Sequence, residues 1–145
     1  MNHGPVWISE ELVIAVHARQ IAEHGGSAGI RDKSLLQSAL ARPQQLYAYG
    51  DPSPDIAALA ASLAYGIVKN HPFVDGNKRT AAVLCELFIM VNGMSLEASD
   101  QEMLSVFLAL AGGSLNEEEL ANWIRSHLIH LRSDLIQEPG ENRIA

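Results

Sequence analysis

Apolar residues recur at helical spacing along most of the chain, and short clusters of Gly, Pro, Asn, Asp and Ser separate the runs. Ile8, Leu12, Val16 and Ile21 lie near one helical face. Ser9 suits an N-cap, Glu10 and Glu11 suit the positive end of the dipole, and Gly25-Gly26 stop the run. A short second helix is predicted from Asp32 through Leu35, Leu36 and Leu40, with Pro43 ending it. Residues 43–54, including Tyr47 and Tyr49, keep no period and read as a loop. Ser53-Pro54-Asp55 then resembles an N-cap, a first-turn proline and an acidic second position, opening a third helix that runs to Asn70. A fourth runs from Gly76-Asn77 to Asn92-Gly93. The third and fourth are apolar on nearly every side, which predicts a buried central antiparallel hairpin wrapped by the others. Ser99-Asp100-Gln101-Glu102 is a capping box for a fifth helix through Leu104, Phe107 and Leu108 to Gly112-Gly113. Asn116 opens a sixth, whose apolar face is Leu120, Trp123, Ile124, His127 and Leu131. No long alternating strand pattern and no internal repeat is visible. The pattern predicts an all-α bundle of about six helices.

Length and composition narrow this picture. At 145 residues the chain suits one domain, here residues 1–133, followed by a polar, flexible tail over 134–145. With 48% hydrophobic and 19% charged residues it is globular rather than disordered. The net charge of −7 argues against a broad nucleic-acid or anionic-membrane interface, both of which need a basic face. The apolar stretches 56–68 and 81–91 fall short of the roughly 20 residues that a spanning helix needs. A single cysteine, Cys85, excludes an internal disulfide framework and fits a reducing cytoplasm; inside an apolar helix it reads as packing. The first residues show no basic stretch followed by an apolar run, so no secretory signal is read there.

The chemistry is concentrated in His71-Pro72-Phe73-Val74-Asp75-Gly76-Asn77-Lys78-Arg79-Thr80. A buried hairpin needs only a small polar turn, with Asp75 or Asn77 capping the next helix. This turn instead gathers a histidine, a carboxylate, an amide, a lysine and an arginine around one helix start. A helix N-terminus offers free N–H groups and the positive end of the dipole. Lys78 and Arg79 are electrostatically misplaced there unless a polyanion binds, and phosphates are the natural candidate. Gly76 leaves the backbone open to close approach. Asp75 fits a Mg²⁺ ligand beside substrate phosphates. His71 fits a general base near neutral pH. The segment is not a P-loop, whose Gly-Lys-Ser/Thr follows a strand.

His71 to Arg79 resembles the motif of the Fic/Doc superfamily, His-Pro-Phe-x-Asp/Glu-Gly-Asn-Gly/Lys-Arg. His24-Gly25-Gly26, Gly29-Ile30-Arg31-Asp32 and Ala41-Arg42-Pro43 extend the resemblance to its death-on-curing (Doc) branch, from about Ile8 to Trp123. The resemblance implies a Fic-like helical bundle and an ATP-dependent transferase. It implies that His71 deprotonates a target hydroxyl and that Asp75 holds Mg²⁺ on the nucleotide phosphates. Gly76, Asn77, Lys78 and Arg79 would bind those phosphates, and Phe73 would anchor the loop. Nucleotidyl-transferring members have Gly at the position of Lys78 and a second arginine where this chain has Ala82. A Doc-like chain with Lys there is expected to transfer the terminal phosphate of ATP to a Ser/Thr hydroxyl. The target would be a translation factor, elongation factor Tu first among candidates. Nucleotidyl transfer and a non-catalytic nucleotide-binding module are the alternatives. The superfamily's inhibitory pattern, Ser/Thr-x-x-x-Glu-Gly/Asn, does not occur in the sequence, so an antitoxin acting in trans is the expected restraint. Lys69 reads as a solvated helix end. His17, His24, His127 and His130 lack metal-like spacing and read as core or surface residues.

Overall fold

The structure, a computed structural model, describes residues 4–131. Its elements in chain order are α1 (Glu10–His24), α2 (Lys33–Tyr49), α3 (Ile56–Asn70), α4 (Asn77–Val91), β1 (Met94–Leu96), α5 (Asp100–Gly112), α6 (Glu117–Ser126) and β2 (Leu128–His130). The six expected helices are present, and the fold is all-α apart from one small two-stranded antiparallel sheet. The tail expected over 134–145 lies outside the described residues.

α3 is the hub, packing against α2, α4, α5 and α6. Its Ala57, Ala60, Ala61, Ala64 and Gly66 are all buried, and small side chains let the neighbouring helices approach closely. α4 departs from expectation. Only one stripe is buried, made by Asn77, Thr80, Ala81, Leu84, Cys85, Phe88 and Ile89. The opposite stripe, from Lys78 and Arg79 through Ala82 and Val83 to Glu86, faces a cavity instead of a helix. Its apolar members reflect the wall of that cavity, which periodicity cannot tell from core.

The second helix does not end at Pro43; it continues to Tyr49, so Tyr47 and Tyr49 are helical and the 43–54 loop is much shorter than expected. Pro43 leaves one intrahelical N–H···O bond unmade, at a typical cost of about 3 kcal/mol. Its ring is buried, Leu36 and Ala39 on the same face are wholly buried, and Tyr47 meets Trp7 edge-on at 5.9 Å, so packing carries the helix past the break. The cap of α3 is Asp55 rather than Ser53: its carboxylate accepts the Ala58 N–H at 2.9 Å and pairs with Arg125 of α6. α6 stops at Ser126, short of Leu131, because residues 128–130 pair antiparallel with residues 94–96. These three-residue strands are too short to show an alternating pattern.

Candidate active site

The site is the six-residue connection between α3 and α4. α3 ends at His71, which adopts the left-handed conformation (φ 52°, ψ 55°). Glycine is usual at such a C-cap, and a side chain there is strained by about 1–2 kcal/mol. A second segment holds the turn in place. Arg31, in the connection between α1 and α2, donates to the Asn70 carbonyl at 2.8 Å and to the His71 carbonyl at 2.7 Å. The Arg31 and Asp32 amides both donate to the Pro72 carbonyl, and the Val74 amide donates to the Gly29 carbonyl. Phe73 is fully buried and stacks on the His17 ring, with centroids 3.8 Å apart and planes 6° from parallel. His17 Nε2 donates to the Asp75 carbonyl at 2.8 Å.

Asp75 points back over the same turn. One carboxylate oxygen accepts the Ser27 N–H at 3.2 Å and the other accepts the Gly76 N–H at 2.9 Å. These two amides, with Arg79 and Lys78 nearby, hold its carboxyl below the usual carboxylate range. Each oxygen keeps a free lone pair, so the ionised, exposed carboxylate fits a single Mg²⁺ contact of the kind completed by substrate phosphates. Among the described residues no group of three or more His, Cys, Asp and Glu could hold a metal ion by itself.

Gly76 sits at φ +75°, the left-handed region that disfavours side chains. A Cβ there would lie 3.2 Å from Ile21 Cδ1 and face α1. The glycine therefore serves the backbone turn and the packing of α1. Gly26 has a similar reason: a Cβ there would come within 2.8 Å of an Asp75 oxygen. Asn77 departs from its expected role. Its side chain is buried, accepting the Phe73 N–H at 3.0 Å and donating to the Phe73 carbonyl at 2.9 Å. Only its backbone remains for an anion, and no side chain caps the helix it begins.

These groups border one cavity of about 580 Å³. His71, Asp75, Gly76, Asn77, Lys78 and Arg79 all line it, so the sequence-predicted site residues come together. The His71 ring has no hydrogen-bond partner among the described residues, which leaves its nitrogens free to take a proton. Lys69 does not join them; it lies over the Tyr65 ring at 5.8 Å. His24, read as a core or surface residue, stands on the cavity wall with Gln20. The far end of the cavity is different in kind. Glu86 and Asp100 stand there with the α5 side chains Met103, Leu104, Phe107 and Leu108. Partial burial first, and the Asp100 charge second, push the Glu86 carboxyl upward. Cys85 is fully buried, its thiol pushed up to about 12 chiefly by burial, which suits packing and not nucleophilic chemistry.

Sequence reasoning gave no role at the turn to His17, Gln20, Ser27 or Arg31. His17, Ser27 and Arg31 act across 39 or more residues of chain, and no local pattern announces such contacts. The Gly25-Gly26 pair was a usable signal, since one glycine would have ended a helix.

An all-α hairpin whose turn carries this histidine, carboxylate and cationic helix start defines a class. The chain belongs to the Fic/DOC family, whose model matches residues 7–89. Its relatives place it in the Doc-like branch. It is 30% identical to "Protein kinase doc" of Escherichia phage P1 over 118 residues, which are 81% of this chain and 92% of that protein. It is 42% identical to "Toxin Doc" of Mycolicibacterium smegmatis over 74 residues, which are 51% of this chain and 57% of that protein.

Proposed function

We propose that the chain is a Doc-like toxin that transfers the terminal phosphoryl group of ATP to a Ser/Thr hydroxyl of a protein. The observation that carries this reading is the meeting of His71, Asp75 and the uncapped, cationic first turn of α4 in one cavity. The name of the phage P1 relative supports the kinase assignment, as do Lys78 and Ala82 where nucleotidyl-transferring members have Gly and Arg.

The first-turn amides of α4, with Lys78 and Arg79, bind the phosphates of ATP. Asp75 would hold Mg²⁺, which would neutralise phosphate charge there. An imidazole nitrogen of His71 takes the proton from the target hydroxyl. That oxygen forms a bond to the terminal phosphorus as the bond between this phosphorus and its bridging oxygen breaks. ADP then leaves. A translation factor, with elongation factor Tu tested first, is the target class, so the reaction belongs in the cytoplasm and halts translation. No inhibitory pattern lies in the sequence, and an antitoxin in trans restrains the activity.

The test is intact-mass analysis of elongation factor Tu and cell extract after incubation with the purified chain, ATP and Mg²⁺. The expected product is one phosphoryl group on a Ser or Thr. A nucleotidyl adduct would replace this reading with AMP transfer. Nucleotide binding without any product would leave a non-catalytic binding module.

A further inference from the structure

Gln20 has no part in the reaction as described above, yet its placement calls for one. It is one of three buried residues on α1, with Val13 and His17, and only 7% of its surface is exposed. The large majority of buried side-chain polar groups have a hydrogen-bond partner. Among the described residues nothing pairs with the Gln20 side chain. Nor is the amide sealed in the core, because among the described residues the one enclosed side-chain polar atom without a partner is Thr80 Oγ1. Its polar end opens on the cavity, where it stands on the wall with His71, Asp75 and Gly76.

The neighbours of Gln20 fix its position further. Three residues earlier, His17 donates to the Asp75 carbonyl. The next residue, Ile21, packs where a Gly76 side chain would lie. Gln20 thus stands beside the first residues of α4, on a wall shared with the Asp75 carboxylate and the cations Lys78 and Arg79.

We propose that Gln20 is a phosphate-contacting residue of this site, its side-chain Nε2–H donating to an oxygen of the nucleotide phosphates bound at the start of α4. This rests on the nucleotide-binding reading above. A neutral donor there meets phosphate charge without repelling Lys78 or Arg79. Its missing partner in the free chain is then the ligand.

The test is calorimetric binding of ATP with Mg²⁺ to the full chain and to Gln20→Met and Gln20→Glu, with thermal unfolding in the absence of nucleotide. Gln20→Met should weaken binding about tenfold, and Gln20→Glu, which replaces a donor by a negative acceptor, by about a hundredfold. Without ATP, Gln20→Met should unfold no earlier than the unmutated chain. Unchanged binding by Gln20→Met overturns the proposal. So does Gln20→Glu binding more tightly than Gln20→Met, which would make the residue an acceptor. A lower midpoint for Gln20→Met without ATP would show the amide paired inside the fold, and an unmutated chain that binds no ATP would leave no phosphate to contact; either result overturns it. The mass of the transferred group is read separately. A nucleotidyl product would refute phosphoryl transfer while the order of affinities still decides the role of Gln20.

Discussion

α3 begins at Asp55, whose carboxylate accepts the Ala58 amide and grips Arg125 through two oxygens at 2.6 and 2.9 Å. α4 begins at Gly76 with no side-chain cap, no acidic residue in its first turn, and Lys78 and Arg79 in their place. The other four helices follow the α3 rule, capped by Ser9, Asp32, Ser99 and Asn116. The difference separates two uses of the same backbone groups. At α3 the free N–H groups are satisfied within the chain and stabilise the fold. At α4 they remain open toward the cavity, and the cations beside them favour an anion over a stable helix start.

The largest expected effect falls on the chemistry of the open end. His71→Ala should slow transfer by about 10²–10⁴-fold while nucleotide affinity stays near its starting value, because a proton acceptor is lost and no phosphate contact is. Single-turnover rates beside calorimetric binding check this; equal losses in both would make His71 a binding group. Next is the clamp under that end. Asn77→Ala leaves the Phe73 amide and carbonyl buried and unpaired, and should destabilise the fold by about 2–4 kcal/mol in urea unfolding. A cost below 1 kcal/mol would mean that the turn does not depend on this clamp.

Two smaller effects should run in opposite directions. Asp55→Ala removes a cap and an exposed ion pair, lowering stability by about 1 kcal/mol without changing ATP affinity. Arg79→Ala should weaken ATP binding yet raise stability by a few tenths of a kcal/mol, since a cation leaves a positive helix end. If Arg79→Ala also destabilised the chain, the contrast between the two helix starts would collapse. The smallest effect depends on pH. The Glu86 carboxyl, pushed up by burial and then by Asp100, holds its proton more tightly folded than unfolded. Its ionisation opposes folding above its folded pKa and costs nothing below the ordinary value of 4.5. Glu86→Gln should therefore raise the unfolding midpoint at about pH 7 and leave it unchanged at about pH 3. An equal rise at both would point to packing.

Much of this was legible in the sequence, because local rules set it. Ser9, Asp32, Ser99 and Asn116 cap the helices their positions announce, and the α3–α4 hairpin follows from two apolar runs with a short polar turn. The site residues were legible because they lie within nine positions of one another. The remainder depended on tertiary contact. Pro43 marks a stop by local rules, but the packing of its own face outweighs that. The packing of Gly76 and Asn77 was not legible, since nothing local shows that α1 lies behind the glycine or that the amide folds back onto Phe73. His17, Gln20 and Arg31 matter only because α1 and the segment after it lie against a turn far along the chain.

That last arrangement has a consequence for when the protein can act. The bonds that hold the turn around His71 and Asp75 join residues 39 to 58 positions apart, so they close long loops. Contacts of such separation form late, after the entropy of closing the loops has been met by collapse of the core. A chain that stops short of residue 75, or one that has lost its first two helices, lacks partners of these bonds. The turn can therefore be organised only once both segments have been made and brought together.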